Sequence, residues 1–151
     1  MTILDQAAKF FREDDWAYLS AKDGTLVIPF AGENGRFTCY ATSRENLDQF
    51  LFYAAVDEAT PASRRAVMAE FVCRANYGMI IGNFELDMDD GEIRYKASAD
   101  VEDVGLQPTM IRNLVYAACL TLDNYLPAIE RINQTDCTAL EALSLVEGDE
   151  A

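Results

Sequence analysis

The chain contains no histidine. Histidine is the side chain whose ordinary pKa lies nearest neutrality, so its absence removes the commonest general acid and base. Ser-His-Asp triads, Cys-His pairs and His-ligated zinc sites are all excluded. Basic residues are scarce as well: 12 Lys and Arg stand against 26 Asp and Glu, a formal net charge of −14. A field of that sign repels phosphate backbones and anionic lipid, so neither nucleic acid nor a membrane is expected as a partner. The acidity keeps the chain soluble and suits a basic or neutral protein partner. Cys39, Cys73, Cys119 and Cys137 form no C-x-x-C pair, so zinc-ribbon and thioredoxin signatures are missing. Apolar neighbours place the first three in the core as reduced thiols and leave Cys137 the most exposed. No apolar run approaches the ~20 residues of a membrane span. Met1 to Asp5 lacks the basic-then-apolar opening of a signal peptide. The expectation is a cytoplasmic protein without a cofactor.

What is present is pattern. The 151 residues suit one domain, and half of them are apolar, enough for a proper core. Thr2 can cap a first helix carrying Ile3, Leu4, Ala7, Ala8, Phe10 and Phe11 on one face and ending near Asp14. The period then shifts towards two. Trp16 to Ser20, Leu26 to Phe30, Arg36 to Ala41 and Gln49 to Val56 read as strands, with turns at Asp23-Gly24 and Asn34-Gly35. Pro29 marks an edge or a bulge. Thr60-Pro61 opens a second helix running to Asn76–Gly78. Met79 to Asp87 and Glu92 to Val101 read as a hairpin around Asp89-Asp90-Gly91. Leu106-Gln107-Pro108 opens a long third helix that Pro127 should kink. A domain over 1–132 is followed by an extension over 133–151, partly helical and frayed from Glu147 onward. The fold class is α+β, a mostly antiparallel sheet with helices on one face, in the order α-β-β-β-β-α-β-β-α.

The run Asn76-Tyr77-Gly78-Met79-Ile80-Ile81-Gly82-Asn83-Phe84-Glu85-Leu86-Asp87, continuing into Asp90-Gly91-Glu92-Ile93-Arg94-Tyr95, resembles the signature of the YbjN family of bacterial sensory transduction regulators. Asn76, Gly82, Asn83, Phe84, Gly91 and Tyr95 carry the resemblance. Leu122 to Ile129 is similar to the family's closing helix. The resemblance implies a fold like that of type III secretion chaperones, small acidic homodimers that hold extended segments of client proteins.

Candidate sites compete with plainer roles. Asp87 to Glu92 invites calcium, but the EF-hand spacing fails at Asp90 and strands flank it, so a solvated turn explains it better. Asn76 is expected to cap its helix in a left-handed conformation, and Asn83 to bond nearby backbone. Arg94 and Lys96, with Arg36, could hold an anion, but pairing with carboxylates is the simpler role. Glu85 with Asp87 could act as a hydrolytic carboxylate pair, a weak signal in so acidic a chain. Two features mark a partner surface: Tyr116 and Leu120 on the last long helix, and Pro29 with Phe30 on an edge strand. The leading expectation is a non-enzymatic, homodimeric, chaperone-like or regulatory module. It would bind an extended basic or apolar protein segment by a sheet edge or a groove. The alternatives are a carboxylate- or divalent-metal-dependent enzyme and an immunity-like protein that neutralises a basic partner.

Overall fold

The computed structural model describes residues 1–148. Among these, four α-helices pack against one antiparallel six-stranded sheet. The helices are α1 (Ile3–Glu13), α2 (Arg65–Asn76), α3 (Pro108–Gln134) and α4 (Ala139–Glu147). The strands are β1 (Leu19–Ser20), β2 (Leu26–Ala31), β3 (Arg36–Arg44), β4 (Gln49–Ala55), β5 (Asn83–Leu86) and β6 (Ile93–Asp100), in the spatial order β1-β2-β3-β4-β6-β5. The expected α+β class and element order hold.

Strand alternation decides where the core sits. Ile28, Phe37, Cys39, Phe50, Phe52, Ile93 and Tyr95 are buried, while their neighbours in sequence turn to the other face. The buried stripe of α3, from Ile111 through Val115, Leu122 and Ile129 to Ile132, covers that inner face, and Phe11 of α1 stacks on Phe52 at 6.2 Å and meets Trp16 edge-on at 5.6 Å. Thr2 and Thr138 build capping boxes with Asp5 and Glu141, which fixes the starts of α1 and α4.

Several local expectations need correction. Thr60 does not cap α2. A single 3₁₀ turn over Ala62–Arg64 intervenes, and Thr60 is buried with an unpartnered Oγ1. Its backbone is tied instead to the β5–β6 turn, accepting from Arg65 Nε at 3.0 Å while its N–H donates to the Gly91 carbonyl at 2.8 Å. Met79 to Gly82 is loop rather than strand, because Gly78 and Gly82 take φ of 88° and 78°. The exposed cysteine is Cys73, two residues and about 200° around α2 from the buried Phe71. Cys39 and Cys119 are buried with Sγ atoms 3.7 Å apart, and that contact, with burial, pushes the Cys39 thiol pKa upward. Glu147 belongs to α4 rather than to a frayed end; residues 149–151 of that expected tail lie outside the described residues.

α3 continues through Pro127 as one helix. Proline has no N–H, so the Asp123 carbonyl one turn earlier has no helical donor. Asn34 Nδ2 donates to it at 3.0 Å. The Asp123 carboxylate accepts from Glu33 N–H at 3.0 Å and from Asn34 N–H at 2.9 Å. One helix residue thereby holds the tip of the β2–β3 hairpin, and Gly32 leaves it room: a Cβ there would stand 2.2 Å from Asp123 Oδ1.

Candidate functional site

The described helices pack on the buried face of the sheet, and among the described residues the other face is open. Its side chains are the outward half of each strand: Val27 and Pro29 on β2, Thr38, Tyr40 and Thr42 on β3, Leu51 and Tyr53 on β4, and Arg94 and Lys96 on β6. Tyr40 pairs across the strands with Tyr53, and Tyr53 with Lys96. Arg94 lies diagonally over the Tyr53 ring, 4.1 Å from its centroid, a cation–π contact. A shallow groove of about 420 Å³ runs over this face, lined by Tyr40, Thr42, Tyr53, Asp57, Glu92 and Arg94.

The charges there are matched. Glu85 Oε1 accepts from Arg94 Nε and its Oε2 from Lys96 Nζ, both at 2.9 Å. Burial works to raise the Glu85 carboxyl, but the hydrogen bonds and charges of Lys96 and Arg94 outweigh it and hold the group below the usual carboxylate range. Arg94 and Lys96 are therefore committed to Glu85 rather than gathered around an anion. Arg36 opens β3, two strands away from β6. In the β5–β6 turn the carboxylates fold back on their own backbone: Asp87 Oδ1 accepts from Asp89 N–H and Asp90 Oδ1 from Glu92 N–H, each at 2.8 Å. Among the described residues no three Cys, Asp or Glu side chains gather as metal ligands.

The four residues expected on a partner surface separate. Pro29 belongs to the open face. Phe30 turns to the helix side, where its ring stacks on Phe37 at 4.9 Å and on Trp16 at 5.9 Å. Tyr116 meets the same Trp16 ring at 5.8 Å, and its hydroxyl donates to Asp14 at 2.6 Å. That bond, with one from Trp16 Nε1 at 2.8 Å, lowers the Asp14 carboxyl, and the bond to Asp14 raises the Tyr116 phenol. Leu120, one turn beyond Tyr116, is 54% exposed. Trp16, read from sequence only as the start of a strand, is the hub that joins Phe30 to Tyr116.

Four of the six motif residues, Asn76, Gly82, Phe84 and Tyr95, form one cassette. Asn76 does not adopt a left-handed cap; it ends α2, and its carboxamide reaches β5, donating to the Phe84 carbonyl at 3.0 Å and accepting from Phe84 N–H at 2.7 Å. Phe84 packs edge-on against Tyr95 at 4.9 Å, and the Tyr95 hydroxyl donates to the Ile81 carbonyl. Gly82 sits where a Cβ would lie 2.5 Å from the Lys96 carbonyl, and Gly91 where one would lie 2.1 Å from the Thr60 carbonyl. Asn83 is exposed at the start of β5. The pinned loop before it holds Tyr77 and Ile80 in solvent, 92% and 89% exposed. Sequence periodicity missed both, because an apolar run normally signals burial.

Comparison with known proteins agrees with this arrangement. No curated protein sequence matches the chain. Among solved structures, the crystal structure of YbjN from E. coli is similar with a TM-score of 0.61 at 15% identity, covering 80% of this chain and 85% of that one. A chain of the HopA1–SchA chaperone–effector complex is similar at 0.50 and 14% identity, covering 76% of this chain and 84% of that one. A chain of the ExsC–ExsE complex is similar at 0.51 and 13% identity, covering 79% of this chain and 86% of that one. The family model described as "Putative bacterial sensory transduction regulator" matches residues 4–131, the span that holds the open sheet face and the whole motif cassette, and the chain belongs to that family, YbjN.

Proposed function

We propose that this protein is a non-enzymatic, chaperone-like or regulatory module of the cytoplasm that binds an extended segment of another protein on the open face of its sheet. The observation that carries this reading is the uncovered face itself, with Tyr40, Tyr53 and the Arg94 stack lining its groove. Tyrosines offer large contact area at small entropic cost, and Arg94 is already fixed by Glu85. Asp57 and Glu92 on the groove wall favour a basic residue in the bound segment, in line with the net charge of −14. The fold shared with chains of the HopA1–SchA and ExsC–ExsE complexes supports a protein partner. Binding by the face also fits the state of the edges, since Pro29 has no N–H to offer on β2 and Asn76 occupies β5.

The protein is proposed to act as a homodimer, with Tyr116, Leu120 and the Phe30–Trp16 corner at the self-contact, distinct from the open face. Affinity capture from the native lysate with mass spectrometry tests the first claim. The Tyr40→Ala/Tyr53→Ala variant should lose the partner that wild type retains, and Leu120→Asp should keep it. Equal capture by both variants would refute the assignment of the face. Light scattering should give twice 16.8 kDa for wild type and a smaller mass for Leu120→Asp.

A further inference from the structure

On the outer edge of β5 the N–H and C=O of Phe84, like those of Leu86, face away from β6. In an antiparallel ladder a neighbouring residue would fill both at once, giving and taking one bond each. The Asn76 carboxamide makes that same pair of bonds, at 2.7 and 3.0 Å. It is a side-chain copy of a peptide group, delivered by the last residue of α2.

We propose that Asn76 is an edge guard: β5 is a latent strand-pairing surface whose fitting partner is β5 of a second copy, and the Asn76 carboxamide keeps it closed. The register favours this occupant. An antiparallel pair centred on Phe84 joins the two Phe84 backbones and sets Asn83 opposite Glu85, so two chains of net charge −14 meet there without opposed carboxylates. Residues 75–84 carry no charge at all, so neither the strand start nor the loop before it adds repulsion. Unprotected edges of this kind are where sheets join. The opposite edge is blunted by other means, the absent N–H of Pro29 and the two-residue β1.

The test is the mass of purified Asn76→Ala against wild type over a range of concentrations, with amide exchange at Phe84. Whatever mass wild type has, the variant should shift towards twice that mass as concentration rises. Its Phe84 amide should exchange fast when dilute and become protected when concentrated, whereas in wild type it is protected throughout. Adding Asn83→Glu to Asn76→Ala opposes like charges at two symmetric positions and should weaken the association by about tenfold. Asn76→Ser carries the same test if the alanine variant gives no cooperative melt. A variant that keeps the wild-type mass at every concentration overturns the proposal, as it would if a foreign strand were the natural occupant. Association that Asn83→Glu leaves unchanged also overturns it. The comparison is with wild type, so it is independent of whether wild type is a dimer and of where a client binds.

Discussion

Replacing Asp123 with alanine removes the carboxylate that ties the β2–β3 turn to α3. The group is 5% exposed and accepts two backbone N–H groups, at 3.0 and 2.9 Å. A hydrogen bond to a charged acceptor contributes roughly 1.5–3 kcal/mol, and a donor left unsatisfied adds its own penalty. The two donors sit on one turn at the surface, where water reaches them once the turn loosens, so the joint loss lies near the low end of the sum, about 3 kcal/mol. Unfolding entropy of roughly 2.1 cal/mol/K per residue gives about 0.3 kcal/mol/K for a chain of this length, and the melting midpoint should fall by about 10 °C. Calorimetry at neutral pH measures the shift, and urea titration checks that the unfolding slope is unchanged. Asn34→Ala removes only the neutral bond to the Asp123 carbonyl and should cost about 1 kcal/mol. A midpoint for Asp123→Ala within about 2 °C of wild type, on the same entropy scale, would refute the claim that this carboxylate holds the hairpin.

The pairing of Glu85 with Arg94 and Lys96 predicts a pH effect. The folded carboxyl titrates below its ordinary value of 4.5, so its contribution to stability is present above that value and is lost as pH falls through the folded pKa. Glu85→Gln should therefore flatten the acid limb of the stability curve relative to wild type, measured by melts between neutral pH and about pH 3. Gly91→Ala places a Cβ 2.1 Å from the Thr60 carbonyl at a φ of 82°, and urea titration should show a loss of about 2–4 kcal/mol. Thr138→Ala removes the α4 capping box and should cost about 1 kcal/mol in the same assay. Millimolar Mg²⁺, Ca²⁺ or Mn²⁺ should leave the melting midpoint where it is, whereas a rise reversed by Asp89→Asn would favour a divalent-metal enzyme instead.

Strands β2, β3 and β4 were legible because their inward residues recur every second position, and Asp23-Gly24 and Asn34-Gly35 mark the turns before β2 and β3. The caps at Thr2 and the start of α3 at Pro108 were legible for the same local reasons. What could not be read depends on partners distant in sequence. Nothing near Asp123 reveals that its donors lie 89 and 90 residues away. Asn76 has the composition of a helix cap, and only the folded edge of β5 shows that its amide serves a strand. Met79 to Gly82 has the apolar content of a strand, and two glycines with positive φ overrule it. Alternation along β3 sets Tyr40 on the face opposite Phe37 and Cys39, yet alternation alone does not say that no described helix covers that face.

Pro127 and Asn34 are two halves of one lock. The ring at position 127 strips a carbonyl of its donor, and an amide 89 residues away, counted from Asp123, restores it. Restoring an N–H at 127 would give the Asp123 carbonyl a helical donor to share with the Asn34 carboxamide, while losing the amide would leave that carbonyl without a donor. The choice of residue at the tip of a surface hairpin is thus dictated from inside a helix, and relatives that abandon the proline should be free to abandon the asparagine.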